Sequence, residues 1–318
     1  MRRALCVGID EYGQNSLRGC VNDALQMARL LEKHHDGAPN FDCKTLIAAQ
    51  GNFDVVTKAA LRHHLQQLFQ HPAEIALFHF SGHGTVNSLD GYLCTQDGAD
   101  HDEGVPLTEV LRLANSSRTK DVVIVLDCCF SGQAGNPPVL DGEKAVLREG
   151  VCILTGSRND QPSVETGGTG LFTSLVLDAL EGGAANLLGG VSAPAIYTFV
   201  EAALGAWDQR PLFKSNISTA VDLRRCEPPI ARTILRRIPT LFPLPAEDRP
   251  LDPTYEKTHP SALPANVTVF EELQALYRVH LVVPVDAPHM YDAAIGSKAC
   301  CLTPAGKYYW RLARNRRI

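Results

Sequence analysis

The sequence predicts an α/β fold in which a mainly parallel sheet is flanked by helices, with a small, mainly helical domain appended at the C-terminus. Three observations carry this. Through about the first 220 residues, short apolar runs alternate with stretches of helical periodicity, the pattern of strand-helix-strand units. Several of those runs end abruptly in polar, glycine-bearing segments, as buried parallel strands do where they open into loops. A proline- and arginine-rich stretch then intervenes, and helical patterning returns behind it.

In chain order, Ala4 to Ile9 reads as a buried strand that opens at Asp10. Val21, Ala24, Leu25, Ala28 and Leu31 recur at helical spacing, and Asn22 and Asp23 fall in the first turn, where exposed backbone N–H groups favour them. Strand Cys43 to Ala48, helix Val55 to Phe69, strand Ile75 to Phe80, helix Leu107 to Ala114 and strand Val122 to Leu126 follow. After Asp127 comes a Gly/Pro-rich loop through Pro138, then strand Val151 to Thr155, helices Leu171 to Leu180 and Ala195 to Leu204, and a last strand near Leu212 to Ile217. His83, Asp127 and Gly156 all fall at carboxyl ends of strands, where open α/β sheets bind ligands.

These elements suggest three segments: a catalytic-sized domain over residues 1–222, a Pro/Arg-rich linker over 223–263 and an accessory domain over 264–318. The prolines of the middle segment argue against regular helices or central strands there. In the tail, Phe270, Leu273, Leu276 and Tyr277 share a helical face, Val282 and Val283 read as a strand, and a final helix starts near Thr303-Pro304.

Composition narrows the class. With 318 residues, 45% hydrophobic and 20% charged, the chain is an ordinary globular protein. A formal net charge of -5 gives no general attraction to nucleic acid or anionic membrane. None of the ten cysteines forms a C-x-x-C pair, and reduced cysteines in apolar surroundings suit a cytoplasmic location. Neither a signal peptide nor a membrane-spanning apolar run is expected.

The strongest chemical signal is a pair of glycine-bracketed segments, His79-Phe80-Ser81-Gly82-His83-Gly84 and Asp127-Cys128-Cys129-Phe130-Ser131-Gly132. A thiol attacks a carbonyl as thiolate and needs a base, which imidazole supplies near neutral pH. Cys129 is then the nucleophile and His83 its general base, with the Gly84 and Cys129 amides placed to bind the oxyanion. Cys128 would point the other way along the strand and pack. The dyad spans 46 residues, near the roughly 50 expected between a caspase histidine and cysteine. Neither G-x-S-x-G nor a phosphate-binding G-x-x-x-x-G-K-[ST] is present, and His79 with His83 lies on a strand, where i, i+4 spacing does not build a zinc site.

The two segments resemble the H-x-S-G-H-G and D-x-C-x-S-G motifs of the caspase, metacaspase and paracaspase group, over roughly residues 1 to 220. Leu17-Arg18-Gly19-Cys20-Val21-Asn22-Asp23-Ala24 resembles the metacaspase G-C-x-N-D-A stretch. The resemblance implies a caspase-hemoglobinase-like fold and a cysteine endopeptidase with Cys129 and His83 as its dyad. It also implies that Asp23 and Asp127 line the primary pocket and select arginine or lysine, with Cys20 beside them and Ser157, in the run Thr155 to Ser163, on the far wall. Leu17 stands where caspases carry the arginine that selects aspartate, which argues against aspartate specificity.

No cofactor is expected to be required. Calcium, which many metacaspases need, has Asp97, Asp100, Asp102 and Glu103 as candidates by type, but their spacing reads better as a solvated acidic loop. Autoprocessing after Lys144, Arg148, Arg224-Arg225 or Arg236-Arg237 is a further expectation, against the plain reading of these as solvated residues. Leu302-Thr303-Pro304-Ala305-Gly306-Lys307-Tyr308-Tyr309 resembles the T-P-x-G turn into the last helix of winged-helix modules. An adaptor or sensor contact through this tail is favoured over nucleic-acid binding, despite Arg311, Arg314, Arg316 and Arg317. The expected partner is therefore a protein substrate with a basic cleavage site, and prokaryotic relatives often sit in defence or cell-death circuits. The competing readings are a non-catalytic scaffold and a DNA-binding regulator.

Overall fold

A computed structural model describes residues 1–51, 55–87, 90–99, 102–128, 130–131, 146–156, 165–166, 169–204 and 211–318, without the side chains of 130, 131, 165, 166 and 169. The chain divides into two units. One comprises Met1–Ala185 with Gly190–Glu227, the other Asn186–Gly189 with Pro228–Ile318.

The first unit is built on strands β1 (Arg2–Ile9), β2 (Phe41–Ala48), β3 (Ile75–Ser81), β7 (Asp121–Asp127), β9 (Val151–Thr155) and β13 (Leu212–Asn216). They lie in the order β13-β9-β7-β3-β1-β2. All neighbours run parallel except β13, which is antiparallel to β9 at the edge. Helices α1 (Cys20–Glu32), α2 (Lys58–Gln70), α3 (Leu107–Ser116), α4 (Leu171–Asp178) and α5 (Ala193–Ala203) cover it. The period of two along each strand sorts the core into two layers. Leu5, Val7, Ile9, Phe78, Phe80, Ile124 and Leu126 pack with Leu61 and Leu65 of α2 and Val110 of α3. Ala4, Cys6, Leu77, Val123, Val125 and Leu154 face the opposite way, onto Ala24, Met27 and Leu31 of α1, Phe172 and Val176 of α4 and Ile196 of α5. The expected mainly parallel α/β architecture is therefore present, and burying each Leu, Ile or Phe contributes about 1.5–3 kcal/mol.

Past the ends of β3 and β7 the structure adds a feature that the sequence reading lacked. Strands β4 (Gly84–Val86), β5 (Gly91–Ala99), β6 (Asp102–Pro106) and β8 (Phe130–Ser131) form a second sheet in the order β6-β5-β4-β8, and β10 (Glu165–Thr166) pairs antiparallel with β11 (Thr169–Gly170) just before α4.

The second unit corrects the linker expected over 223–263. Its first part belongs to β14 (Asp222–Arg225), which pairs with β12 (Gly190–Ser192) in the first unit. The rest enters a core of its own. Helix α6 (Arg232–Leu241) buries Leu235, Ile238 and Leu241 and accommodates Pro239 near its end. The apolar spacing of that face outweighs the roughly 3 kcal/mol cost of an interior proline. Strand β15 (Arg249–Pro250), helix α7 (Pro264–Arg278), strand β16 (Val282–Val285), helix α8 (Met290–Ile295), strand β17 (Ala299–Leu302) and helix α9 (Pro304–Arg314) follow, with a three-stranded antiparallel sheet β15-β17-β16. Thr303 caps α9 by accepting from Gly306 N at 3.0 Å. A Cβ at Gly306 would strike the Leu281 carbonyl, which is why the turn has glycine there.

Candidate active site

Strands β3 and β7 are in parallel register, with Ser81 opposite Asp127. Pairing resumes between β4 and β8, with Gly84 opposite Phe130. In the sequence His83 immediately precedes Gly84, and Cys129 immediately precedes Phe130. Cys129 itself lies outside the described residues, as do Asp100, Lys144 and Ser157. The Gly82 amide donates to Asp127 O at 3.2 Å and ties the two strand ends together.

His83 is half-buried, and its Nε2 lies 2.6 Å from Asn15 O. A carbonyl only accepts, so Nε2 carries the proton and Nδ1 holds the lone pair that a base requires. The Tyr12 ring packs on the imidazole at 4.7 Å between centroids. Tyr12 Oη accepts from His83 N and donates to Cys94 O, both at 3.2 Å. Gly82 leaves room for that hydroxyl, because a Cβ there would lie 2.6 Å from it. Gly84 opens β4 and is paired with both β8 and β5. Cys128 is buried in the core against α2 and α3.

Asp23 and Asp127 meet from different elements. Asp10, just past β1, accepts from Cys20 N at 2.8 Å and so caps α1, whose own N-cap residue, Gly19, has no side chain to do it. Gly8 lets this helix start lie against β1. One turn on, Asp23 is 1% exposed and accepts from Ser81 Oγ at 2.8 Å and Gly170 N at 3.2 Å. Asp127, at the end of β7, accepts on Oδ2 from Thr173 N at 3.0 Å and Thr173 Oγ1 at 2.6 Å. A Cβ at Gly170 would meet carboxylate oxygens of both residues, so the two acids flank one point in space. Burial, and then the Asp127 charge, push the Asp23 carboxyl up to about 7. Cys20 lies beside this pair, and burial raises its thiol far above the range in which it would ionise at neutral pH. Two buried acidic groups at one place can hold a cation when both are ionised.

The structure thus brings Asp23, Asp127 and Cys20 together and sets His83 on the same strand ends. Tyr12, Asn15, Ser81, Gly170 and Thr173 also build the site, and sequence reasoning did not single them out. Ser81 had a signal in its place inside the histidine segment, and Tyr12 in following the first strand.

Of the calcium candidates, Asp97 and Asp102 already have partners. Lys58 Nζ sits 2.6 Å from Asp102 Oδ2 and neutralises it, while Asp97 Oδ1 accepts from Thr95 Oγ1 at 2.7 Å and Lys58 N at 2.8 Å. Among the described residues no group of three or more His, Cys, Asp or Glu is placed to hold a metal ion. Also among them, no helix is long and apolar enough to cross a membrane.

The caspase domain family matches residues 1–221. Metacaspase-1B of Aspergillus fumigatus is 28% identical over 198 residues, covering 56% of this chain and 47% of that protein. Metacaspase-2 of Trypanosoma brucei brucei is 28% identical over 205 residues, covering 54% and 58%. The chain thus spans about half the length of the curated relatives it matches. A Geobacter sulfurreducens protein of solved structure superposes with a TM-score of 0.52 at 17% identity, over 71% of this chain and 99% of that one, which shows a shared fold.

Proposed function

The chain belongs to the caspase domain family, and on that premise we propose that it is a cysteine endopeptidase that cuts proteins after arginine or lysine. The observation that supports this best is the register that sets the end of β3, two residues before His83, beside the end of β7 at Asp127, with Asp23 and Asp127 buried around one point.

In this reading His83 Nδ1 takes the Cys129 thiol proton, and the thiolate adds to the scissile carbonyl. Asn15 O, on Nε2–H, stabilises the imidazolium that forms. The Gly84 and Cys129 amides bind the oxyanion. His83 then protonates the leaving amine, and water resolves the acyl-enzyme to regenerate the thiol. The Asp23 and Asp127 carboxylates bind the side chain that precedes the cut bond, and their like charges make an acidic side chain there a poor fit.

Fluorogenic peptides ending in Arg, Lys or Asp test this on wild type, Cys129→Ala and Asp23→Ala. Wild type is expected to cleave the Arg and Lys peptides, Cys129→Ala none of them, and Asp23→Ala to lose the basic preference. Preferred cleavage after Asp would refute the pocket assignment.

A further inference from the structure

The first turn of α4 opens with Gly170, which has no side chain to cap the helix, and Asp127 supplies the missing acceptor from β7. Capping needs only the Thr173 amide, yet the Thr173 hydroxyl also donates to the same oxygen, at 2.6 Å. Behind it stands His79, on β3 and fully buried, with Nε2 3.4 Å from Thr173 Oγ1. The Thr173 proton is committed to the carboxylate, so its oxygen accepts and His79 Nε2 donates. His79 Nδ1 is buried without a hydrogen-bond partner, which leaves this one contact as the ring's polar role. Burial lowers the His79 pKa to about 3, so the ring is a neutral donor at all working pH values.

We propose that Thr173 and His79 are positioning residues for substrate recognition, forming a buried relay from His79 Nε2–H through the Thr173 hydroxyl that fixes the Asp127 carboxylate to receive a basic side chain. The relay rests on the basic-specific peptidase reading and deepens it. It joins three elements, β3, α4 and β7, at the residue two places before Cys129, so a loosened Asp127 would misplace the cation relative to the scissile bond. The relay also accounts for Gly170. Its φ of -63° and ψ of 136° suit any residue, so glycine is there for space and not for backbone freedom. A methyl group at that position would press on Asp127 Oδ2 and Asp23 Oδ2.

Benzamidine serves as a catalysis-independent probe of the cation pocket, titrated calorimetrically into the full chain, alongside KM and kcat for an arginyl peptide. Thr173→Val keeps the shape and the amide but removes the hydroxyl. It is expected to weaken benzamidine and raise KM by about 10-fold, the worth of one charge-assisted hydrogen bond, with a smaller change in kcat. Thr173→Ser restores both. His79→Phe weakens binding in the same direction, and His79→Gln, which retains a donor at the Nε2 position, recovers it. Thermal unfolding of each variant reports whether it is folded. Unchanged benzamidine binding in folded Thr173→Val, with binding lost in Asp23→Ala, overturns the relay and leaves the pocket standing. Wild type that neither binds benzamidine nor cleaves the arginyl peptide overturns both.

Discussion

Asp23 carries an acid-base consequence that can be read in solution. Its carboxyl is raised from the ordinary 3.8 to about 7 by burial and by Asp127, so between these values the folded chain holds a proton that the unfolded chain has released. Stability therefore falls as pH rises from about 4 to 7, by a few kcal/mol at most. Asp23→Asn is expected to flatten that slope in urea titrations and to be more stable than wild type at pH 8. Substrate binding runs the other way: the pocket gains its second negative charge as pH passes about 7, so 1/KM for an arginyl peptide should climb between pH 6 and 8 and then level off. At this scale the residues that speak through side-chain chemistry in a compact motif, His83, Asp23 and Asp127, were legible in the sequence. Asn15 acts through a backbone carbonyl and Gly170 through an amide and an absent Cβ, so no pattern of residue types announces them. Thr173 lies 46 positions from Asp127, and only the fold brings it there.

Helix α4 shows how an element is held by a neighbour's side chain. With Asp127 as its cap, a Cβ at Gly170 must displace that carboxylate, so Gly170→Ala is expected to cost about 1–3 kcal/mol in denaturant unfolding and to raise KM for basic peptides. A Gly170→Ala protein as stable and active as wild type would show that the α4 start does not depend on Asp127. The central strands β3, β7 and β9 were legible because each is a mainly apolar run covered on both faces. The β4–β6 hairpin was not. It is interrupted by Gly91, Gly98 and Gly104 and shifts register between Cys94 and Ala99. Gly104 has a plain reason, since a Cβ there would collide with the Leu93 carbonyl. Helix α6 was hidden by Pro239, whose local penalty is outweighed by Leu235, Ile238 and Leu241 packing into the second unit.

At the scale of the molecule, alternation of strand and helix announced the first unit, whereas the start of the second depended on long-range packing that prolines masked. The same packing narrows where the chain could cut itself. The Arg148 guanidinium donates to the carbonyls of Ala114, Thr119 and Lys120, Arg224 to those of Leu30, Lys33 and Leu180, and Arg236 and Arg237 lie within α6. A peptidase binds extended chain, so self-cleavage after Arg148, Arg224 or Arg236 is not expected while the chain stays folded, and intact mass of wild type after incubation, compared with Cys129→Ala, should show none of those cuts. Cleavage after Arg148 or Arg224 would mean that those contacts open. A Cys129 thiolate served by His83 beside an acidic pocket should be open to covalent trapping. An arginyl chloromethyl ketone, whose chloride the thiolate displaces, is incubated with the protein and the adduct is mapped by peptide mass. One adduct is expected, on Cys129, lost in His83→Ala and far slower with the aspartyl reagent. An adduct on another cysteine, or faster labelling by the aspartyl reagent, would contradict it.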